Sequence, residues 1–242
     1  MSTPVVPYPP TPKPVSEIWR PDQTRLPVLT CRRRLFRHFL QILCKGIVFV
    51  CTRMKVYGLG NYPQRGPALV VINHLGDPDA VLALAALQDP PEVIGKIELR
   101  EIPALRLVAD WYGVIWIHRG LPDRRALSAA LEAFRQGKHI LIAPEGRESV
   151  SGSLEAGTGG AAFLALKAGV PVVPITITGS EFRRLENNLK KLRRTPVSVK
   201  VGEPFVLHQQ VRGQESLREG TRFITFVPVP ARDGGTCPTT PA

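Results

Sequence analysis

Five short apolar runs, each separated from the next by a stretch of helical spacing, constrain this chain more than anything else in it. They occupy residues 68–73 (ALVVIN), 93–96, 114–118, 139–143 (HILIA) and 172–177. Each is too short for a helix and apolar but for one residue at or beside an end, which is how a strand covered on both faces reads. The segments 79–87, 99–112, 123–136 and 160–168 between them have helical spacing. Parallel neighbours need a long crossover, and a helix supplies it. The expectation is an α/β domain over residues 58–220, with a largely parallel central sheet flanked by helices. Residues 197–201 and 203–207 are expected to add edge pairing. In sheets of this kind the working residues collect in loops past the carboxyl ends of strands.

The flanks read differently. Residues 1–30 carry Pro4, Pro7, Pro9, Pro10, Pro12 and Pro14, which remove backbone donors and forbid a helix, so a disordered lead-in is expected. Over residues 31–57 the pattern turns helical. Leu35, Phe36, Phe39, Leu40, Leu43, Ile47 and Val50 share one face, and Arg33, Arg34, Arg37, Gln41 and Lys45 take the other. Seven cations and no acid lie between residues 31 and 60. That reads as a basic amphipathic helix docked in a headgroup layer. A helix start near residues 214–220 then gives way, over 221–242, to a stretch without periodicity that reads as an irregular tail.

Charge narrows the partner. The formal net charge is +12, which suits nucleic acid, an acidic bilayer or a phosphorylated substrate. The basic run Arg183, Arg184, Lys190, Lys191, Arg193 and Arg194 lacks interleaved aromatics and any reading motif, so nucleic acid is set aside. Residues 35–50 are broken by Arg37, His38, Gln41 and Lys45, and fall short of the about 20 apolar residues that cross a bilayer. Cys31, Cys44, Cys51 and Cys237 form no C-x-x-C pair, which points to a reducing compartment and no metal site.

The suggestive residues fall where such a sheet would put them. After the first run comes His74, with Asp79 five residues on. A histidine can take a proton from an alcohol near neutral pH, and a carboxylate on its other nitrogen fixes the tautomer. After the third run comes Arg119, a planar fork suited to phosphate, followed by Gly120. After the fourth come Glu145, Gly146 and Arg147. Gly146 permits a tight turn, Arg147 can face the crevice that Arg119 faces, and Glu145 can hold an arginine or accept a substrate hydroxyl. The block VPVVPI at 170–175, which leads into the fifth run, has no reactive group.

Together these blocks resemble the glycerolipid acyltransferase family that includes the 1-acyl-glycerol-3-phosphate acyltransferases. That family has N-H-x4-D, G-x-x-F-I-x-R, F-P-E-G-T-R-S and V-P-[IV]-[VI]-P-V blocks in this order. The chain offers NHLGDPD at 73–79, GVIWIHR at 113–119, APEGRES at 143–149 and VPVVPI at 170–175. Trp116 stands for the usual Phe, Ala143 for another, Arg147 for Thr and Glu148 for Arg. The resemblance implies transfer of a fatty acyl chain from acyl-CoA or acyl-carrier protein to the free hydroxyl of 1-acyl-glycerol-3-phosphate, giving phosphatidic acid. It implies His74 as base, Asp79 as its orienting partner, and Arg119, Glu145, Gly146 and Arg147 as acceptor contacts. No cofactor or metal is implied. The expected place is the cytoplasmic face of a membrane, peripheral or monotopic, against anionic lipid. Glycerol-3-phosphate or another lysophospholipid is the alternative acceptor, and a non-catalytic membrane-binding relative the alternative role.

Overall fold

The computed structural model describes residues 14–76, 78–120, 122–146, 157–208 and 214–226. Its centre is set by alternation. In β2 (Ala68–Ile72) all five residues are buried, yet Ala68, Val70 and Ile72 join one apolar cluster while Leu69 and Val71 join another. A strand apolar at every position can satisfy both only inside a sheet with helices on each side.

That sheet has seven strands in the order β1-β7-β6-β2-β5-β3-β4. The others are β1 (Thr52–Tyr57), β3 (Glu92–Lys96), β4 (Ile115–Ile117), β5 (His139–Ile142), β6 (Val172–Thr178) and β7 (Thr195–Val201). Every neighbouring pair is parallel except β6 with β7. One edge of the sheet therefore gathers the carboxyl ends of β2 to β6. The same edge takes the amino ends of β1 and β7, because Thr178 pairs with Ser198 and Thr52 with Thr195.

The first cluster is closed by α1 (Cys31–Cys51) and α2 (Pro78–Ala86), with Tyr112 from the end of α3 (Pro103–Tyr112). The second is closed by α4 (Arg124–Arg135), α5 (Gly159–Ala168) and α7 (Gln214–Phe226). Between β6 and β7 lies α6 (Phe182–Lys190), which buries none of its residues.

Several expectations need correction. The helix expected through residue 57 stops at Cys51, where the Thr52 hydroxyl donates to Val48 O at 2.7 Å, and the chain enters β1. The irregular tail expected from residue 221 starts no earlier than 227. Through Phe226 the chain is α7, with Gly220 against Ala162 and Ile224 buried in the second cluster. Residues 227–242 lie outside the described residues. Pairing over 203–207 reduces to one bridge, Val172 with Phe205.

The orientation of α1 is the largest correction. Arg37 and Gln41, expected on its solvated side, are 4% exposed, and with Cys44 and Val48 they form the buried stripe. Arg37 grips both oxygens of Glu92 at 2.8 and 2.6 Å, donates to Tyr112 O at 2.7 Å and lies over the Tyr112 ring. Gln41 donates to the carbonyls of Leu84, Leu87 and Gln88, which lie at and just past the end of α2, where helical carbonyls lack partners. Buried polar groups are tolerated when so satisfied. The apolar side chains of Leu35, Phe39, Ile42, Leu43, Ile47, Phe49 and Val50 stand exposed instead. Ile102, Leu105, Leu107, Val108 and Trp111, from α3 and the residue before it, are exposed as well, and Trp111 touches Phe36 of α1. No helix among the described residues is long and apolar enough to cross a membrane.

Residues 14–30, expected within the disordered lead-in, lie against the body. Ser16 and Arg119 exchange two bonds, with Ser16 N–H donating to Arg119 O at 3.0 Å and Arg119 N–H donating to the Ser16 hydroxyl at 2.7 Å.

Candidate active site

β2 ends beside β6, and Asn73 ties the two by donating to Ile177 O at 2.8 Å and accepting from Ile177 N–H at 2.7 Å. The next residue is His74, 22% exposed at its side chain. Its Nδ1 lies 3.2 Å from Oδ2 of Asp79, a carboxylate with no exposed surface. The same oxygen accepts the backbone N–H groups of Leu75 at 2.6 Å and Gly76 at 2.9 Å. Asp79 is thus fixed by the loop it fixes, and its charge sits in the first turn of α2, where the helix dipole favours an anion. Among the described residues nothing bonds His74 Nε2.

A second pair repeats the spacing. His118 Nδ1 lies 2.7 Å from Asp123 Oδ2, again five residues on. Here Nε2 is occupied, because it accepts the N–H of Arg20 at 2.9 Å. An Nε2 that accepts carries no proton, so the proton of this neutral ring is on Nδ1, facing Asp123. Trp19 covers the ring at 4.6 Å, and the ring is 3% exposed. Asp123 also caps α4, its Oδ1 accepting from Arg125 and Ala126. Burial pushes the Asp123 carboxyl up, but the bonds from His118 and Ala126 outweigh it and hold the group below its usual 3.8. One histidine is open and the other closed.

Arg119 follows β4. Its guanidinium donates to Gly146 O at 3.3 Å and lies 3.2 Å from Glu98, so its loop and the Gly146 turn are joined directly. Burial raises the Glu98 pKa, but the Ser16 hydroxyl, its own backbone and Arg119 together hold it below its usual 4.5. Glu145 is 1% exposed, and its Oε1 accepts from His74 N–H at 3.4 Å. Gly146 adopts φ +71°, a left-handed turn that a side chain disfavours. Arg147 lies outside the described residues. The structure therefore brings together His74, Asp79, Glu145, Gly146 and Arg119 at one sheet edge. No three His, Cys, Asp or Glu side chains cluster to hold a metal among the described residues.

Four features at this sheet edge lie outside the residues to which the sequence motifs give a role. Glu98 sits in a 3-10 turn after β3, at a distance that no local spacing signals. Lys96 ends β3 at the working edge, two residues before Glu98 and in register with Ile117 of β4. Ser16 comes from the lead-in. The His118–Asp123 pair could have been found, since its spacing equals that of His74 and Asp79.

A buried carboxylate behind an open imidazole, at the carboxyl edge of an α/β sheet and joined to an arginine loop, is a constellation suited to acid–base group transfer. The chain belongs to the Acyltransferase family, whose sequence model matches residues 53–178. It is 35% identical over 164 residues to the lyso-ornithine lipid O-acyltransferase of Pseudomonas aeruginosa, covering 66% of this chain and 60% of that protein. It is 32% identical over 152 residues to the chloroplastic 1-acyl-sn-glycerol-3-phosphate acyltransferase BAT2 of Brassica napus, covering 61% of this chain and 44% of that protein. The chain thus spans less than two thirds of the length of either relative. Its fold matches the crystal structure of the 1-acyl-sn-glycerophosphate (LPA) acyltransferase PlsC of Thermotoga maritima, with TM-score 0.59, 24% identity and 83% of each chain covered.

Proposed function

We propose that this chain transfers a fatty acyl group from acyl-CoA or acyl-carrier protein to the free hydroxyl of 1-acyl-glycerol-3-phosphate, giving phosphatidic acid at a membrane surface. One observation carries the reading: His74 is held at Nδ1 by a buried carboxylate while Nε2 stays open. In this reading Nε2 takes the acceptor's hydroxyl proton as its oxygen attacks the thioester carbonyl. Asp79 stabilises the imidazolium that forms, and the proton passes on to the departing thiolate. No covalent acyl-enzyme is required. Arg119, with Arg147, holds the acceptor phosphate, so that an encounter becomes a positioned reaction. Glu145 and Gly146 shape the turn that presents these groups. The exposed apolar side chains of α1, interspersed with Arg32, Arg34 and Lys45, rest on anionic lipid.

A second acceptor has support of its own. One relative is named a lyso-ornithine lipid O-acyltransferase, so a lyso-lipid without a phosphate is the other candidate. A thiol-release assay with acyl-CoA separates the readings by supplying lysophosphatidate, glycerol-3-phosphate or lyso-ornithine lipid in turn. Turnover with lysophosphatidate that drops at least about a hundredfold in His74→Ala is the expected result. Equal rates for the two proteins would remove His74 from the chemistry, and turnover with the ornithine lipid alone would replace the acceptor.

A further inference from the structure

We infer that the turn from α6 into β7 is a second membrane contact, in which Leu192 enters the headgroup layer and Lys191 and Arg193 bind anionic lipid. This rests on the membrane-surface reading above and adds to it a surface far along the chain from α1.

The first observation is a misplaced leucine. α6 ends by hydrogen bonds from Lys191 N–H to Asn188 O at 3.0 Å and from Arg193 N–H to Asn188 O at 2.8 Å. Leu192 takes φ +52°, the left-handed position that glycine or asparagine usually fills after a helix. Among the described residues it is the one non-glycine with positive φ. It is also 93% exposed, so its side chain gains almost no burial within the fold to offset the conformation. Asn188 braces the turn further by donating to the Thr195 hydroxyl at 3.0 Å. A strained backbone that presents an apolar side chain to water marks a surface built for a partner.

Charge says which partner. Between residues 181 and 194 there are six basic side chains and two acidic ones. Glu181 and Glu186 are already paired with Arg184 and Lys190. Arg183, Lys191 and Arg193 have no acidic partner among the described residues. Exposed Phe182 and Leu189 lie on the same helix. Cations interleaved with exposed apolar side chains match an anionic bilayer better than a purely acidic protein surface.

Position supplies the third argument. The Arg194 guanidinium donates to Thr52 O at 2.8 Å and lies 4.9 Å from the ring of Phe49, an exposed residue of α1. The turn thus continues the apolar face of α1. The other end of α6 reaches the catalytic loop, since a side chain on Gly76 would meet Phe182 N at 3.7 Å. One short helix joins the lipid-facing surface to the mouth of the site, where a lyso-lipid would enter.

The test is vesicle co-sedimentation of the full chain with phosphatidylcholine alone or with phosphatidylglycerol added. Leu192→Gly suits the left-handed turn, so its thermal midpoint is expected to hold or rise while binding to both vesicles falls several-fold. Lys191→Gln with Arg193→Gln is expected to weaken binding only to the anionic vesicles, by about fivefold per charge removed. Phe39→Asp with Ile42→Asp serves as the α1 control. Loss of binding in that control alone, with the turn variants bound like wild type, overturns this inference and leaves the α1 reading standing. Wild type that ignores both vesicles overturns both. If the charge variants keep vesicle binding but lose rate only with acyl-carrier protein as donor, the turn docks an acidic protein and the lipid assignment falls.

Discussion

Asp79 presents one oxygen, Oδ2, to His74 Nδ1 at 3.2 Å, and offers the same oxygen to two backbone N–H groups of the intervening loop. Orientation of the ring and shape of the loop are therefore one arrangement. Asp79→Asn removes the charge that would stabilise an imidazolium, so kcat is expected to fall by a hundredfold or more. Asp79→Ala also strands two N–H groups, and unfolding in denaturant should show a further loss of about 1–3 kcal/mol. His74→Ala, at a partly exposed position, should unfold like wild type. Activity and stability measured side by side on the three variants check this.

Arg119 should act on binding more than on chemistry. Arg119→Gln is expected to raise the KM for a phosphorylated acceptor at least about tenfold, as a lost charge-assisted bond would. Arg119→Lys should recover only part of that, because an ammonium cannot span Glu98, Gly146 O and a phosphate as a planar fork does. Steady-state kinetics over a range of acceptor concentrations separate KM from kcat.

The anchor of α1 is a buried ion pair. Arg37→Met leaves the Glu92 carboxylate with Lys138 at 3.2 Å as its remaining cation. A loss of about 3 kcal/mol is expected, the low end for breaking such a pair. The double variant Arg37→Met, Glu92→Leu should regain most of it. A double variant as unstable as the single one would show that the bonds to Tyr112 O matter more than the pairing.

Asp123 should give stability an acid limb. Its folded carboxyl binds a proton less readily than in the unfolded chain, because the bonds from His118 and Ala126 favour the charged form. Its contribution is therefore complete above the ordinary 3.8 and fades as pH falls from there through the folded value. Thermal midpoints between pH 6 and 3 should decline less steeply in Asp123→Asn than in wild type, about the general slope set by the other carboxylates.

The strands at the centre were legible because their burial on two faces leaves an unbroken apolar run, as in β2 and β5. The edge was not: β1 alternates buried and exposed positions, and after a helix its six residues continued the helical reading. α6 carries a helical period in Phe182, Leu185 and Leu189, but it is short and set among basic residues, so it reads as a charge run. In α7, Leu217, Gly220 and Ile224 have helical spacing, but the Pro-, Gly- and Thr-rich residues that follow hide the period, so the stretch past residue 221 reads as irregular. His74 and Asp79 were visible through their spacing and the strand before them. Glu98 was not, nor was the meaning of Arg37 and Gln41. The partners of Arg37 and Gln41 lie 43 to 76 residues away, and a polar residue whose partner is distant reads as solvent-facing.

The way α1 is fastened determines what can unfasten it. A helix held to its domain by leucines and phenylalanines alone could be peeled away by hydrocarbon, since acyl chains offer such side chains much the same company as protein does. Arg37 and Gln41 are held by a carboxylate and by carbonyl oxygens, and acyl chains offer neither. Contact with oil would tighten that grip, because competition from water is what weakens it. The helix can therefore give up its outward face completely and still fix the angle at which the domain sits over whatever that face enters.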